Sequence, residues 1–414
     1  MNLKQDAVKI IKNAIKDVLP GPNTKEALEE AAYPKDGRIF VIAVGKAAYT
    51  MAKEAEEYLG DEISGGIVIT KYGHLKGELS HFSLFEGGHP IPDENGFRAT
   101  EEAIQMVKEL GENDLVLFLL SGGASALFEK PVTTAEELSR ITGALLSSGA
   151  DIREINTVRK HLSFVKGGRF AAICSPAKVH TIFLSDVLGN ELDVIGSGPT
   201  CPDSTTGEEA FAIIEKYHVP LSADLVSMLM QETPKKLNNV TFRLIGDVSF
   251  LTESAKNTAR ALGYHPVILT RELSCEAREA GRFLSSVAKT YADTEESLAF
   301  IAGGETVVHV TGDGKGGRNQ ELVLAATEGI AGLRDTCIFS IGSDGTDGPT
   351  DAAGAIADGD TKEALEKAGI DIYGALEKND SYHALKEAKA LIVTGPTGTN
   401  VNDLTVLLIK RGED

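Results

Sequence analysis

Residues Leu115–Ser125 read LVLFLLSGGAS. Six apolar residues stand in succession before the chain turns to serine and glycine. A run with no polar alternate suits a strand covered on both faces, the kind found in parallel sheets under helices. The same signature recurs as FVIAVG (40–45), GGIVIT (65–70) and VHTIFLS (179–185), separated by helical patterns such as YTMAKEAEEYL and ENGFRATEEAIQMVKEL. That alternation predicts βαβ units and a mainly parallel sheet.

After QETPKKLNNV (231–240), a polar stretch containing Pro234, the alternation resumes with FRLIG, HPVILT, LAFIAGGETVVHV, CIFSIGSDG and ALIVTG. At 414 residues the chain exceeds one ordinary core. The expected fold class is α/β: two domains, residues 1–235 and 236–414, each a mainly parallel or mixed sheet flanked by helices in a Rossmann-like three-layer arrangement. An active-site cleft between the two is expected.

The formal net charge is -20, with no long Lys/Arg cluster to offset it, which argues against a nucleic-acid partner. Four cysteines (174, 201, 275, 337) show no C-x-x-C spacing, so neither a zinc knuckle nor a disulfide framework is indicated, and a reducing cytoplasm fits. At the N-terminus Val8, Ile11, Ile15, Val18 and Leu19 fall at helical spacing among charges, the pattern of an amphipathic helix rather than a signal peptide. No run reaches membrane-spanning length, and no membrane partner is expected.

Glycine loops follow the buried strands, which is where open α/β sheets hold ligands. In GGETVVHVTGDGKGGRNQ (303–320) a strand pattern runs into a turn carrying Lys315 and Arg318 and then into a helix. Converging N–H groups of Gly314, Gly316 and Gly317, the helix N-terminus and Asn319 together make an anion cradle, with phosphate as its guest. Two other readings fit: a dinucleotide fingerprint on Gly312, Gly314 and Gly317 with Asp335 for the ribose, or a tight turn. Bulky Arg318, Asn319 and Gln320 at the helix start favour the cradle. Lys46 follows VIAVG at another helix start but lacks the first glycine and final hydroxyl of a Walker A loop. Ser121, Gly122 and Gly123 can form an N–H nest for phosphate, while the absence of G-x-S-x-G argues against a nucleophilic serine.

Three further segments carry candidate ligands. INTVRKHLSFVKGGR (155–169) concentrates cations in an acidic chain; Arg159 and Lys166 are candidates for a substrate anion, and ordinary ion pairs are the alternative. Asp186 ends a strand in LSD and suits Mg²⁺ or a general base. IGSDGTDGPTDAAG (341–354) contributes Asp344 and Asp347 as metal candidates, with turn capping as the alternative.

The ordered set VGKAA, SGGAS, INTVRKHLS-x-x-KGGR, LSDVLG, GSGPT-x-PD, GGETVVHV, GxGxGGRNQE, GSDGTDGPTDAAG and PTGTNVND resembles the type II glycerate kinases, D-glycerate 2-kinases with a C-terminal MOFRL domain. The resemblance covers nearly the whole chain. It implies transfer of the γ-phosphoryl of ATP to the 2-hydroxyl of D-glycerate with Mg²⁺ and catalytic roles for Lys46 and Arg318; beside them, Asp186 is read as orienting or deprotonating the acceptor. Arg159 or Lys166, with Asn156, would hold the substrate. Small-molecule partners are implied, and a homo-oligomer is left open. Ala124 stands where many relatives have a third glycine. Some family members carry the label hydroxypyruvate reductase, so an NAD(P)H-dependent reductase and a non-catalytic hydroxy-acid sensor are the rival expectations.

Overall fold

The computed structural model describes residues 3–412. Two compact units are present: residues 20–245, and a second unit that joins the N-terminal segment up to Leu19 with the chain from Gly246 onward.

The 20–245 unit is built on six strands: β1 (Ile39–Val44), β2 (Ile63–Lys71), β3 (Phe82–Gly87), β4 (Leu115–Leu120), β5 (Lys178–Leu184) and β6 (Val240–Gly246). Their order is β3-β2-β1-β4-β5-β6, and the pairs from β3 through β5 run parallel. Every residue of β1 and β4 is buried, as their unbroken apolar sequences require. Phe118 of β4 meets Phe128 and Phe170 at ring-centroid distances of 5.4 and 5.2 Å, anchoring the core under the loop that follows β4. Chain order runs outward from β1 through β3 and returns on the other side of β1 at β4. The carboxyl ends of β1 and β4 therefore flank a topological switch point, the position where such sheets bind ligands.

The second unit carries β7 (His265–Leu273), β8 (Leu298–Gly304), β9 (Thr336–Gly342), β10 (Gly354–Asp358), β11 (Leu391–Ile392) and β12 (Asp403–Ile409), ordered β11-β10-β9-β12-β8-β7. Here the sheet is mixed: β7 and β8 are parallel, while β12 lies antiparallel between β8 and β9. The ends of β8 and β9 and the start of β12 thus share one edge, which bears Glu305, Asp344 and Asp403.

Three features differ from the sequence expectations. FRLIG, expected to open the second domain, is β6 and completes the first sheet, so the first unit ends at Ile245 rather than near 235. The helix Leu3–Lys16 belongs to the second unit; it buries Ala7, Ile10, Ile11 and Ala14 and leaves Val8 exposed. Asn13 Nδ2 donates to Thr258 Oγ1 and Tyr264 Oη donates to Asp6, which fixes that helix on the later chain. Finally, the GGETVVHV strand stops at Gly304. Gly304 has φ +148° and packs on Leu273, whose carbonyl accepts from Glu305 N–H, so the chain leaves the ladder and residues 305–317 are irregular.

Candidate active site

Two loops interlock at the switch point. Gly45 N–H continues the sheet onto Ile69 O, Ser121 N–H donates to Val44 O, and Lys46 N–H crosses to Gly122 O at 2.9 Å. Ser121 Oγ is shared, accepting from Ala47 N–H and donating to Val44 O, both at 3.1 Å. A Cβ on Gly45 would lie 2.3 Å from Ser121 Oγ, so the crossing requires glycine there. The sequence-predicted Lys46, Ser121, Gly122 and Gly123 are therefore one assembly. Gly123, at φ +88°, starts the one-turn helix Ala124–Leu127. Ala124 lies inside that turn with ordinary helical angles, so its methyl in place of a third glycine is accommodated.

Asp186, two residues past β5, joins the same place: a Cβ on Gly122 would lie 2.2 Å from its Oδ2. Sequence reasoning overlooked His89, which lies on the other side. A Cβ on Gly123 would lie 3.0 Å from His89 Cδ2 and 3.4 Å from Lys46 Cγ. The signal was present in FEGGHP, another strand ending in glycines. Burial, followed by the charges of Lys46, Lys71 and His74, holds this imidazole below its usual pKa.

Arg159, Lys166 and Asn156 gather beneath the loop. Lys166 is fully buried and its Nζ donates to Ser125 O (2.9 Å) and Phe128 O (3.0 Å), with Glu129 Oε2 at 3.5 Å. Burial pushes its pKa down to about 8 against the pull of Glu129. Its expected role as a substrate-anion ligand is corrected: the ammonium is enclosed by the turn it holds. Arg159 Nη2 donates to the same Ser125 carbonyl at 2.8 Å. Asn156 Oδ1 accepts from Ser197 Oγ at 3.3 Å, and Ser197 Oγ lies 3.1 Å from Ser125 Oγ.

In the second unit Arg318 is gripped by carboxylates. Its Nε and Nη2 fork onto Asp403 at 2.5 and 2.8 Å, and Nη1 is 3.1 Å from Glu305. Burial disfavours the guanidinium charge, but Asp403 outweighs it and Arg318 stays firmly protonated; burial lifts Asp403 to about 6.

Of the expected glycine cradle, Gly314 N–H is taken up by the protein itself. Gly312 N–H donates to Asn379 Oδ1, Gly314 N–H to Lys378 O and Lys315 N–H to Asp380 Oδ1, so the loop is tied to residues 378–380. A Cβ on Gly316 would lie 2.1 Å from Ser381 Oγ, and one on Gly317 2.3 Å from Asp347 Cγ. These glycines permit close packing of protein on protein.

At the start of the helix Arg318–Ile330, Asp347 accepts from the N–H groups of Asn319 (3.1 Å) and Gln320 (2.9 Å) and from both their side-chain amides. A carboxylate of the protein therefore holds the helix N-terminus assigned to phosphate. Asn319 is buried, its Oδ1 accepting from Ser340 Oγ. Asp347 thus caps this helix, the alternative that turn capping offered for it. Asp344 caps its own turn through Thr346 N–H. Among the described residues no group of three or more His, Cys, Asp or Glu is placed to hold a metal.

A family model described as a domain of unknown function, DUF4147, matches residues 6–230, and the MOFRL family model matches residues 298–403. A D-glycerate 2-kinase from Thermotoga maritima is 51% identical over 99% of both chains. The chain belongs to the glycerate 2-kinase family. A glycerate 2-kinase from Pyrococcus horikoshii is 43% identical over 91% of this chain and 89% of its own. The crystal structure of the Thermotoga maritima glycerate kinase matches with a TM-score of 0.94, covering 99% of each chain. The MOFRL match runs from the first residue of β8 to the first of β12, so it contains Arg318, Asp347 and Asp403.

Proposed function

We propose that the chain transfers the γ-phosphoryl of ATP to the 2-hydroxyl of D-glycerate. The observation that carries this is whole-length likeness to a D-glycerate 2-kinase, joined to a switch-point loop pair of the kind that holds phosphates. Phosphoryl transfer passes through a loose transition state whose charge lies on the transferring oxygens, so cations and positioning matter more than a covalent residue. Lys46 and Arg318 are assigned to that charge. Asp186 orients the acceptor hydroxyl.

Mg²⁺ takes one or two carboxylates together with phosphate oxygens and water. Asp186, beside Ser121–Gly123, is a side chain of that kind and would hold it. Bound there, the ion would neutralise phosphate charge. No helix of the described chain is long and apolar enough to cross a membrane, and its four cysteines are free, three of them buried. We place the protein in a reducing cytoplasm, acting on small molecules.

The phosphorus NMR spectrum of the product from ATP, Mg²⁺ and D-glycerate tests transfer, acceptor and position together; a 2-phosphoglycerate resonance is expected. Oxidation of NAD(P)H by hydroxypyruvate without ATP would instead support a reductase. The G-x-G-x-x-G match does not favour that outcome, because its glycines pack on 378–380 and Asp347 stands where a pyrophosphate would.

A further inference from the structure

His89 follows β3 and reaches the same carboxyl edge of the sheet as Lys46 and Ser121–Gly123. A Cβ on Gly123 would lie 3.1 Å from its Nε2, so that nitrogen faces the loop. Asp186 stands over the adjoining Gly122, and the stem of Lys46 runs beside Gly123. An imidazole, an ammonium stem and a carboxylate therefore border one pair of glycines. His89 is half-buried, and its ring makes no hydrogen bond among the described residues. A half-buried imidazole without a partner, at a loop bare of side chains, is poised for a guest.

Its neighbours define that guest. Lys46 follows β1, Lys71 ends β2, and His74 lies in the next turn; all three oppose protonation of His89. On its own segment Glu86 is occupied by the N–H groups of His74 and Leu75, and Asp93 by Gly96 N–H and Tyr72 Oη. Burial and these cations thus oppose its protonation, and the neutral ring offers one N–H donor with the cations beside it and Asp186 across Gly122. Such a site selects an oxyanion. Of the receptors first expected for the substrate anion, Lys166 is sealed beneath the loop.

We propose that His89 is a further substrate-contacting residue, donating Nε2–H to an oxyanion of the reactant seated beside Gly123. This rests on the kinase reading above. Two sources share the chemistry, a phosphoryl oxygen of ATP and the carboxylate of D-glycerate, and the experiment separates them.

The parent, His89→Ala and His89→Gln are compared with ATP and D-glycerate varied in turn. In parallel, the imidazole nitrogen-15 resonances of the parent, assigned with the variants, are followed during titration with ATP alone and with D-glycerate alone. Loss of a hydrogen bond to a charged group predicts a fall of about 10- to 100-fold in kcat/KM for His89→Ala. Glutamine, which offers an amide N–H near the Nε2 position, recovers most of it, as a merely structural role would not require. The resonances shift with the substrate whose oxyanion is held: ATP identifies the phosphoryl, D-glycerate the carboxylate. Ring resonances unmoved by either ligand, or His89→Ala kinetics matching the parent for both substrates, overturn the proposal. Should His89→Ala fail to fold, His89→Gln and the parent spectra decide. A parent that moves no phosphate to D-glycerate defeats the kinase reading, and the spectra then still settle whether His89 meets an anion; an active parent with an indifferent His89→Ala defeats this inference alone.

Discussion

Lys46 and Gly122 lie in loops that follow different strands, and the lysine N–H donates to the glycine carbonyl at 2.9 Å. The main chain of Lys46 is therefore held independently of its side chain. Lys46→Ala should remove the ammonium without unseating either loop. Turnover is expected to fall by roughly 10³ to 10⁵, the range for loss of a cation that stabilises a transferring phosphoryl. Steady-state kinetics beside a thermal melt check this; near-normal turnover in a folded variant would remove Lys46 from the chemistry.

Gly122→Ala tests Asp186 from the other side of the loop. The added methyl would lie 2.2 Å from Asp186 Oδ2, so the carboxylate must move, while Gly122 itself does not adopt positive φ. Misplacement by an ångström costs on the order of 10² in rate. We expect that loss in kcat for Gly122→Ala, and at least as much for Asp186→Asn. Equal turnover in parent and Gly122→Ala would show that the position of Asp186 is immaterial.

Arg318→Lys is not conservative here, because one ammonium cannot reproduce the fork onto Asp403. Burial raises the folded pKa of Asp403 to about 6 from the ordinary 3.8 of the unfolded chain, so its contribution is full below the lower value and is lost as pH rises through the upper one. Weakening its partner enlarges that loss. Arg318→Lys should melt close to the parent at pH 4 and clearly below it at pH 8. Adding Asp403→Asn should restore the melt at pH 8 but not turnover. If the double variant regains activity, Arg318 acts only as the partner of Asp403.

What was legible in the sequence was what local pattern encodes. β1 and β4 are covered on both faces, so their apolar runs announced them, and the glycine loops after them are where Lys46 and Ser121 meet. The failures have partners far along the chain. Residues 231–240 looked like a linker, yet Asn239 Nδ2 donates to the carbonyls of Ala171 and Ala177 and seats β6 on the first sheet. Gly312 and Gly314 carried the signature of a phosphate loop because a close approach asks the same of the backbone whether the visitor is a phosphate or residues 378–380. Asp347 looked like a metal ligand for the same reason: a carboxylate in a glycine loop is identical on paper whether it faces a cation or a helix N-terminus.

Asp347→Ala separates those two roles. Three donors, the N–H groups of Asn319 and Gln320 at the helix start and Asn319 Nδ2, lose their acceptor, while Gln320 Nε2 keeps Asp347 O and Thr350 Oγ1. The expected cost is about 3 kcal/mol or more in unfolding free energy, since each stranded donor costs roughly 1–3 kcal/mol and the contributions are not additive. Denaturant unfolding measures it. The concentration of Mg²⁺ that half-saturates turnover should stay at the parent value. A stable variant with a shifted Mg²⁺ requirement would return Asp347 to the metal.

Lys166 offers a pH signature. Its folded pKa, about 8, lies below the 10.5 of the unfolded chain, so between these values the unfolded state binds more protons and stability rises with pH. The charged ammonium is tolerated below pH 8 because it bridges two carbonyls and faces Glu129. Lys166→Met leaves that carboxylate and both carbonyls without it and should be less stable than the parent at every pH, by about 3–5 kcal/mol near neutrality. The gap between the two melting temperatures should widen from pH 8 to pH 10, because only the parent sheds a buried charge. Since Ser125 O is held by both Lys166 and Arg159, the variant's kinetic defect should fall on kcat and leave KM for D-glycerate near the parent value. A KM that rises with unchanged kcat would mean that Lys166 binds the substrate after all.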